Sequence, residues 1–432
     1  MRAAGTPTAP GSSGQVRGVV VMPELTGHSR LLEDAVVRWE DGRIVEVRAA
    51  RDGDPPTSGW LISPGFVDLH VHWPQSHVRG CYGGALLPWL REHIWPAEAE
   101  FVDAEVAERR GMDFLDRLHA AGTTAALTFG PPFLEASRSL LRAAPRGFFD
   151  GPALMECNSM PELERPVPET LAEIAGLPDH ERARVVVSPR FAPNLSAESL
   201  AACGELAWRL RMPAQSHLSE NQEELRWVDS LFPDALDYTD VYDRARLLGP
   251  HVVMAHVIYL GARDFLRIAE TGTMIAHCPT SNEALESGRM PLELVRKTGA
   301  RWCLATDVGA GPQLSQVHVI GCALRVHREA GVPIDAGEAW ARASAVPGAF
   351  LAGFDRGLRG LGSLAAGAPA NLVAFALPSG DPAVGRDLEA TLEAVVAAHG
   401  PDYEGAPRAV WSWGYKLPSS RAFSGPVSST AS

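Results

Sequence analysis

The chain has 432 residues, of which 46% are hydrophobic and 21% charged, so it can bury one extensive core and has the composition of a globular protein. Its formal net charge of −13 disfavours DNA or RNA as a partner, because a polyanion is repelled by an acidic chain, and we expect a neutral small molecule instead. No stretch is long and apolar enough for a membrane span, and residues 1–15 lack the apolar centre of a signal peptide, so we expect no membrane association and a cytoplasmic protein.

Short strands are predicted near both ends of the chain. Residues 1–15, rich in Gly, Pro and Ser, are expected to be disordered. Strand-like runs lie at 18–22, 35–39, 44–47, 371–376 and 409–413. We therefore predict that 16–63 and 361–412 meet as a small β-sandwich, followed by a loosely attached tail at 413–432.

The segment 66–72 is the first of a different series of strands. In an extended strand, His70 and His72 point the same way and lie roughly 7 Å apart, so both could bind one metal ion. Strict alternation predicts an inner polar face and an outer apolar face, made respectively of Phe66, Asp68, His70 and His72 and of Val67, Leu69 and Val71. A lone pair of this kind is also common among hydrogen-bonded core or surface histidines, so further ligands are needed.

From residue 64 to 360, short runs rich in β-branched residues alternate with longer helical stretches, the pattern of a parallel sheet with crossover helices. The predicted strands are 66–72, 123–129, 147–155, 184–190, 213–217, 252–256, 273–277 and 302–307. Eight such units predict an α/β fold with a TIM-like (β/α)8 barrel at 64–360, whose chemistry takes place at the carboxyl ends of the strands.

A candidate metal site follows from those strand ends. The ligand set is His70, His72, His217, His256 and Asp307. Imidazoles with one carboxylate suit Zn²⁺, with Fe²⁺ as a possible substitute, and such an ion activates water as a nucleophile. Some similar barrels hold two metals bridged by a modified lysine on the fourth strand. Neither Lys297 nor Lys416 lies near that strand, so we expect one ion per chain.

Two further residues are candidates for catalysis. Ser219 and Gln222 fit a capping box, which would place Glu220 in the first turn of the next helix as general acid and base. Its alternative is an ordinary solvated carboxylate. His277, at the end of the seventh strand, could stabilise the attacking hydroxide. Its alternative is a hydrogen-bonded core histidine.

The chain resembles the amidohydrolase superfamily and, more narrowly, the guanine deaminases. The resemblance covers most of 16–412 and rests on PGFVDLHVHWPQ (64–75), LPWLREHIWPAE (87–98), PRFAP (189–193), HLSEN (217–221), MAH (254–256), HCPTSN (277–282) and TDV (306–308). It implies the same five metal ligands, zinc as the metal, and a proton shuttle at Glu220. It also implies that Gln75 and Arg190 bind the polar edge of guanine, that Phe191 lies against the ring, and that the protein is a homodimer.

Two loops depart from the family pattern. Asn282 is followed by Glu283-Ala-Leu-Glu-Ser-Gly288, and Asp307 is followed by a loop that carries Pro312 and Gln313. We predict zinc-dependent hydrolysis of guanine to xanthine and ammonia through a metal-activated hydroxide, with Glu220, Asp307 and His277 as catalytic residues. The alternatives are the same chemistry on a pterin, a modified purine or an s-triazine, and a non-catalytic binding protein on the same fold.

Overall fold

The computed structural model describes residues 12–81, 86–400 and 402–418. Residues 1–11 and 419–432, which make up most of the two terminal segments predicted to be disordered or loosely attached, lie outside the described residues. The described parts of those segments carry strands, since the first strand begins at Gly14 and a short one covers Tyr415–Lys416.

Strands and helices alternate through the middle of the chain. The strands are β1 (Gly14–Pro23), β2 (Ser29–Glu40), β3 (Arg43–Ala49), β4 (Trp60–Pro64), β5 (Phe66–His72), β6 (Thr123–Gly130), β7 (Phe148–Leu154), β8 (Ser188–Pro189), β9 (Ala214–Leu218), β10 (Val252–His256), β11 (Met274–His277), β12 (Arg301–Leu304), β13 (Leu372–Ala376), β14 (Pro407–Ser412) and β15 (Tyr415–Lys416).

The α-helices are α1 (Leu86–Trp89), α2 (Trp95–Ala99), α3 (Ala104–Ala120), α4 (Leu134–Ala143), α5 (Val167–Gly176), α6 (Asp179–Arg182), α7 (Ala197–Leu210), α8 (Gln222–Leu231), α9 (Tyr238–Arg244), α10 (Ala262–Thr271), α11 (Pro279–Ala284), α12 (Leu292–Thr298), α13 (Gln316–Glu329), α14 (Ala336–Arg342), α15 (Ala345–Ala352) and α16 (Leu388–Ala398). A π-helical segment, Leu90–Ile94, joins α1 to α2. Short 3-10 turns cover Trp73–Gln75, Glu100–Val102, Pro161–Leu163, Ala192–Asn194 and Arg356–Leu358.

The central strands form two parallel sheets of four, in the orders β5-β6-β7-β8 and β9-β10-β11-β12. Backbone hydrogen bonds join the sheets at both edges. At one edge Val187 and Ala214 form a parallel bridge. At the other, the Asp307 N–H donates to the His70 carbonyl over 2.8 Å, and the His72 N–H donates to the Val308 carbonyl. The eight strands thus have the arrangement expected of a (β/α)8 barrel.

The predicted alternation of faces along β5 holds for His70, Val71 and His72 but is wrong for Val67 and Leu69. Val67 and Leu69 pack in one cluster with side chains from β6, β7, β10, β11 and β12, which the barrel interior brings together. Val71 instead packs outside the barrel, in a cluster with Phe114 of α3. The pairing register of β5 with β6 shifts between Asp68 and Val71, and such an irregularity interrupts the two-residue period. The strand therefore turns apolar residues inward at its start and His70 and His72 inward at its end.

The two ends of the chain meet in one seven-stranded sheet, with the order β15-β14-β13-β4-β1-β2-β3. β13 pairs antiparallel with β4, from Leu372 opposite Pro64 to Ala376 opposite Trp60. The predicted association of 16–63 with 361–412 is therefore present as shared hydrogen bonding. That the sheet forms a β-sandwich, and the domain boundaries themselves, stay predictions.

Among the helices of the described residues, none combines the length and the apolar character needed to cross a bilayer.

Candidate active site

The structure brings the predicted metal ligands together at the carboxyl ends of β5, β9 and β10 and just after β12. His70, His217, His256 and Asp307 each offer one ligand atom, and these atoms all lie within 4.8 Å of one another. The Nε2 atom of His72 lies 3.1 Å from Nε2 of His217 and 3.4 Å from Oδ1 of Asp307. All five predicted ligands thus converge on one point.

The donor set at this point fits a metal ion. Nε2 of His70 and Nε2 of His256 are buried and have no hydrogen-bond partner, although buried polar atoms are normally paired. Burial lowers the pKa of His70, His72 and His217, which keeps their rings in the neutral form that binds a metal. An ion among these nitrogens and the Asp307 carboxylate would satisfy the unpaired atoms.

Hydrogen bonds from behind fix the orientation of two of the imidazoles. Nδ1 of His217 lies 2.6 Å from the carbonyl oxygen of Arg190, and Nδ1 of His256 lies 2.9 Å from Oδ1 of Asn282. Because each partner is an acceptor, Nδ1 carries the proton and Nε2 presents its lone pair to the cluster. Asn282 has this function because α11 follows directly after β11.

Asp307 also has a partner outside the cluster, since the Ser281 hydroxyl donates to its Oδ2 over 2.5 Å. Ser281 and Asn282 both belong to the HCPTSN motif, whose spacing along the chain does not indicate which ligand each of them contacts.

Glu220 lies beside the cluster and is almost fully buried. Its Oε1 accepts a hydrogen bond from Ser287 over 3.1 Å, and its Oε2 lies 3.4 Å from Nε2 of His256. Burial raises the pKa of Glu220 to about 7. A carboxyl group with such a pKa can both accept and donate a proton near neutral pH.

The predicted capping box around Glu220 is wrong. α8 begins at Gln222, and its N-cap is Asn221, whose side chain accepts from the Glu223 N–H over 2.8 Å. The carboxylate of Glu224 completes the box by accepting from the Asn221 N–H, and it also accepts from the Glu220 N–H over 2.8 Å. Glu220 therefore precedes the helix, in a loop that Glu224 holds in place.

A cavity opens onto this cluster. Its wall combines the predicted polar residues with apolar side chains: His72, Gln75, Leu86, Trp89, Leu90, Arg190, Phe191, His217, Glu220, Glu224, His256, Leu285, Asp307 and Ala310. The predicted substrate-binding residues Gln75, Arg190 and Phe191 thus share the cavity with Glu220 and the ligand cluster. Such a partly apolar cleft with a few converging polar groups is typical of small-molecule sites.

Glu98, which was not predicted as a site residue, connects two of these side chains. Its Oε1 accepts from Nε2 of Gln75 over 2.7 Å, and its Oε2 accepts from Nη1 of Arg190 over 2.6 Å. Oε1 of Gln75 in turn accepts from the Gly309 N–H over 3.2 Å. All three side chains are buried.

The structure does not bring His277 to this cavity. Its Nε2 lies 3.0 Å from Nε2 of His327 on α13, and its ring packs edge-on against Trp302 at a centroid distance of 6.4 Å. Burial lowers the pKa of His277, so the ring is neutral. This position matches the alternative of a hydrogen-bonded core histidine, and the predicted contact with an attacking hydroxide lacks geometric support.

Known proteins share both the sequence pattern and the fold. Residues 61–403 match the model of the amidohydrolase family. The guanine deaminase of Escherichia coli (strain K12) is 33% identical over 342 residues, which cover 73% of this chain and 76% of that protein. The solved structure of E. coli guanine deaminase matches with a TM-score of 0.83 at 27% identity and covers 94% of this chain and 99% of that one. Guanine deaminase from C. acetobutylicum, solved with bound guanine in the active site, gives 0.82 at 25% identity and covers 94% and 100%.

Proposed function

Because this chain belongs to the amidohydrolase family and, within it, to the guanine deaminases, we propose that it hydrolyses guanine to xanthine and ammonia. The comparisons confirm the family resemblance inferred from the motifs and identify the chain as a hydrolytic aminohydrolase. The observation that supports guanine as the substrate is the shared cavity, in which Gln75 and Arg190 face the same space as Glu220 and the ligand cluster.

We propose that His70, His72, His217, His256 and Asp307 hold one divalent ion, Zn²⁺, for which Fe²⁺ could substitute. Imidazole and carboxylate ligands suit both ions. When bound, the ion would lower the pKa of a water molecule from about 16 toward about 7 and so make it nucleophilic at neutral pH.

Glu220 is proposed to move the first proton. Its carboxylate takes a proton from the attacking water and delivers it to the ring nitrogen next to the carbon that bears the amine. The raised pKa of about 7 favours both halves of this transfer near neutral pH. The hydrogen bond from Ser287 directs Oε1 and leaves Oε2 on the side of His256.

Asp307 is proposed to move the second proton. As the new carbon–oxygen bond becomes a carbonyl, its hydroxyl proton passes through Asp307 to the departing amine. The carbon–nitrogen bond then breaks, and ammonia leaves. Water has supplied one oxygen and two protons, so the products are xanthine and ammonia.

The polar edge of guanine is proposed to face Gln75 and Arg190, with the ring against Phe191. An amide and a guanidinium offer N–H groups to the oxygen and nitrogen acceptors of the base, and an aromatic ring packs on its plane. Phe191 is held edge-on against Trp227 at a centroid distance of 5.9 Å, so its ring is fixed at the cavity wall.

The decisive experiment incubates zinc-loaded protein with guanine and measures xanthine by absorbance and ammonia by a coupled assay. Equal amounts of both products would support the proposal, and no turnover at full zinc occupancy would contradict it. Glu220→Gln is the matched control, because it retains the metal ligands and removes the proton carrier.

A second candidate keeps this chemistry and changes the heterocycle. Leu285 and Ala310, from the two loops that depart from the family pattern, both line the cavity, so these loops contact the substrate directly. The same assay should therefore include a pterin, a modified purine and an s-triazine. A higher kcat/KM for one of them than for guanine would replace the first candidate.

We also propose that the enzyme is a cytoplasmic homodimer, as the family resemblance implies. Light scattering of the purified protein measures the mass directly. A monomer mass at micromolar concentration would contradict the dimer.

A further inference from the structure

Glu98 is a carboxylate buried behind the cavity wall, with 1% of its surface exposed. A buried charge is costly unless it is paired and hydrogen-bonded. Glu98 meets this condition by accepting from Gln75 through one oxygen and from Arg190 through the other. Because both partners line the cavity and Glu98 does not, its place is that of a positioning residue.

The contacts of Gln75 fix which end of its amide is available. Its oxygen accepts from the Gly309 N–H over 3.2 Å, and its nitrogen donates to Glu98 over 2.7 Å. The reversed amide would set its NH₂ against the Gly309 N–H and its oxygen against a carboxylate, which are both repulsive. The group left for a ligand is therefore the second amide N–H.

Gly309 allows this arrangement because it has no side chain. A Cβ atom at this position would lie 2.7 Å from Cβ of Gln75, far inside van der Waals contact. The backbone N–H of Gly309 can thus approach the amide oxygen and help to hold the orientation set by Glu98.

Arg190 adds donors of the same kind. A guanidinium has five N–H groups and no acceptor, and only one of its nitrogens, Nη1, donates to Glu98. Once Glu98 has taken one N–H from each partner, the groups of Gln75 and Arg190 left for a ligand on this part of the wall are hydrogen-bond donors.

We propose that Glu98 makes this part of the cavity a donor-only subsite, which selects purines that carry an oxo group at position 6 and rejects those that carry an amino group there. The inference rests on the proposed function and specifies how the substrate class is recognised. On the edge of the purine that carries position 6, the oxo oxygen and the ring nitrogen N7 are two acceptors, whereas a 6-amino group would set its N–H groups against those of the wall. A site built for one hydrogen-bonding pattern rejects the opposite pattern strongly, because buried polar groups are left unpaired.

The test compares hypoxanthine, with a 6-oxo group, and adenine, with a 6-amino group. Binding is measured by calorimetry on zinc-loaded full-length protein that carries Glu220→Gln, so that no ligand is consumed. With Glu98 present, hypoxanthine should bind about 100-fold more tightly than adenine. Adding Glu98→Gln should narrow this ratio to less than about tenfold, because one amide cannot accept from both partners and Gln75 becomes free to rotate.

Two further variants keep the test decisive. Glu92→Gln changes an exposed carboxylate in the π-helical segment Leu90–Ile94, just before the helix that carries Glu98. It should leave the ratio of hypoxanthine to adenine binding unchanged. Gln75→Leu removes a donor of the subsite and one of the two partners of Glu98, while the Glu98 carboxylate and its pair with Arg190 remain. It should also narrow the ratio, which covers the case in which Glu98→Gln does not fold. A role of Glu98 in stability alone would weaken the binding of both ligands equally.

The two proposals fail in different ways. The unaltered protein could turn over guanine while Glu98→Gln and Gln75→Leu leave the hypoxanthine-to-adenine binding ratio unchanged. That result would overturn the donor-only subsite and support the deaminase activity. Conversely, the unaltered protein could fail to turn over guanine while the 100-fold binding ratio collapses in these variants. That result would support the donor-only subsite and contradict the proposed deaminase activity. Equal binding of hypoxanthine and adenine with Glu98 present would overturn the inference directly.

Discussion

The hydroxyl of Ser287 donates a hydrogen bond to Oε1 of Glu220 over 3.1 Å, from a loop that departs from the family pattern. Tyr259 holds this loop by donating its hydroxyl to the Ser287 carbonyl. A hydrogen bond to a charged group contributes about 1.5–3 kcal/mol, so we expect Ser287→Ala to lower kcat at least about tenfold by releasing the Glu220 carboxylate. Steady-state kinetics with guanine measure this change, and metal content should stay the same. Ser230→Ala, at an exposed position on α8, is the control, and an equal loss in both variants would contradict the role of Ser287.

Removal of a metal ligand should separate binding of the ion from catalysis. His217→Ala is expected to lose both bound zinc and turnover, because it takes one of the converging nitrogens from the cluster. Glu220→Gln should lose turnover and keep zinc. Elemental analysis after dialysis measures occupancy, with His180→Ala, an exposed histidine, as the reference. Full zinc occupancy in His217→Ala would disprove the ligand assignment.

The buried ion pair of Arg190 and Glu98 predicts how single and double substitutions change the free energy of unfolding. Arg190→Ala leaves the Glu98 carboxylate buried without its cation, and breaking such a pair costs about 3–5 kcal/mol. The double variant Glu98→Ala/Arg190→Ala should lose less than the sum of the two single changes, because it leaves no unpaired charge. Denaturant unfolding measures these free energies. Arg325→Ala, which breaks the exposed pair with Glu283, should cost at most about 1 kcal/mol. Additive losses in the double variant would mean that Arg190 and Glu98 are not coupled.

Asp150 should make stability depend on pH. It is buried on β7, where burial raises its pKa to about 7, above the ordinary value of about 4. Between these two values the folded state holds a proton that the unfolded state releases, so the stability contributed by Asp150 is lost as the pH rises. Asp150→Asn cannot titrate and keeps an oxygen to accept from Thr128.

Thermal unfolding at about pH 5 and about pH 8 checks this sign. The Tm of the unaltered protein should fall relative to that of Asp150→Asn as the pH is raised. Asp229→Asn, an exposed change on α8, should show no such relative shift. A constant difference in Tm between Asp150→Asn and the unaltered protein would show that Asp150 is ionised throughout.

The barrel strands could be predicted because a strand that is buried on both faces is rich in apolar residues, and this composition does not depend on which strands lie beside it. The prediction matches the bounds of β5 at 66–72 and of β10 at 252–256. At the fourth strand, predicted at 184–190, only Ser188–Pro189 forms a continuous strand, while Val185 and Val187 pair with β7 and β9 through isolated parallel bridges. The outer face assigned to Val67 and Leu69 failed because a local register shift has no signature in the order of apolar residues.

Within the site, the sequence predicts the residues that the carboxyl ends of the barrel strands bring together. His70, His217 and His256 converge because each lies at or within two residues of the carboxyl end of a barrel strand, and Asp307 lies just after another. The residues that hold them could not be assigned in this way. Glu98 reaches Gln75 and Arg190 from a helix between the first two barrel strands, and Ser287 reaches Glu220 from a loop 67 residues away. Such contacts depend on side-chain directions in three dimensions, which spacing along the chain does not encode.

The pairing of β4 with β13 determines when the protein can finish folding. β4 is synthesised early, but its partner emerges only after the whole barrel has been made. Contacts of such large sequence separation form slowly because a long loop must close first. During synthesis, one edge of β4 therefore remains without its native partner and could pair with another chain. A protein shortened before Leu372 would keep the five metal ligands in its sequence but leave that edge of β4 permanently unpaired. Aggregation of the folding chain, and not loss of the catalytic residues, would then limit how much active protein is obtained.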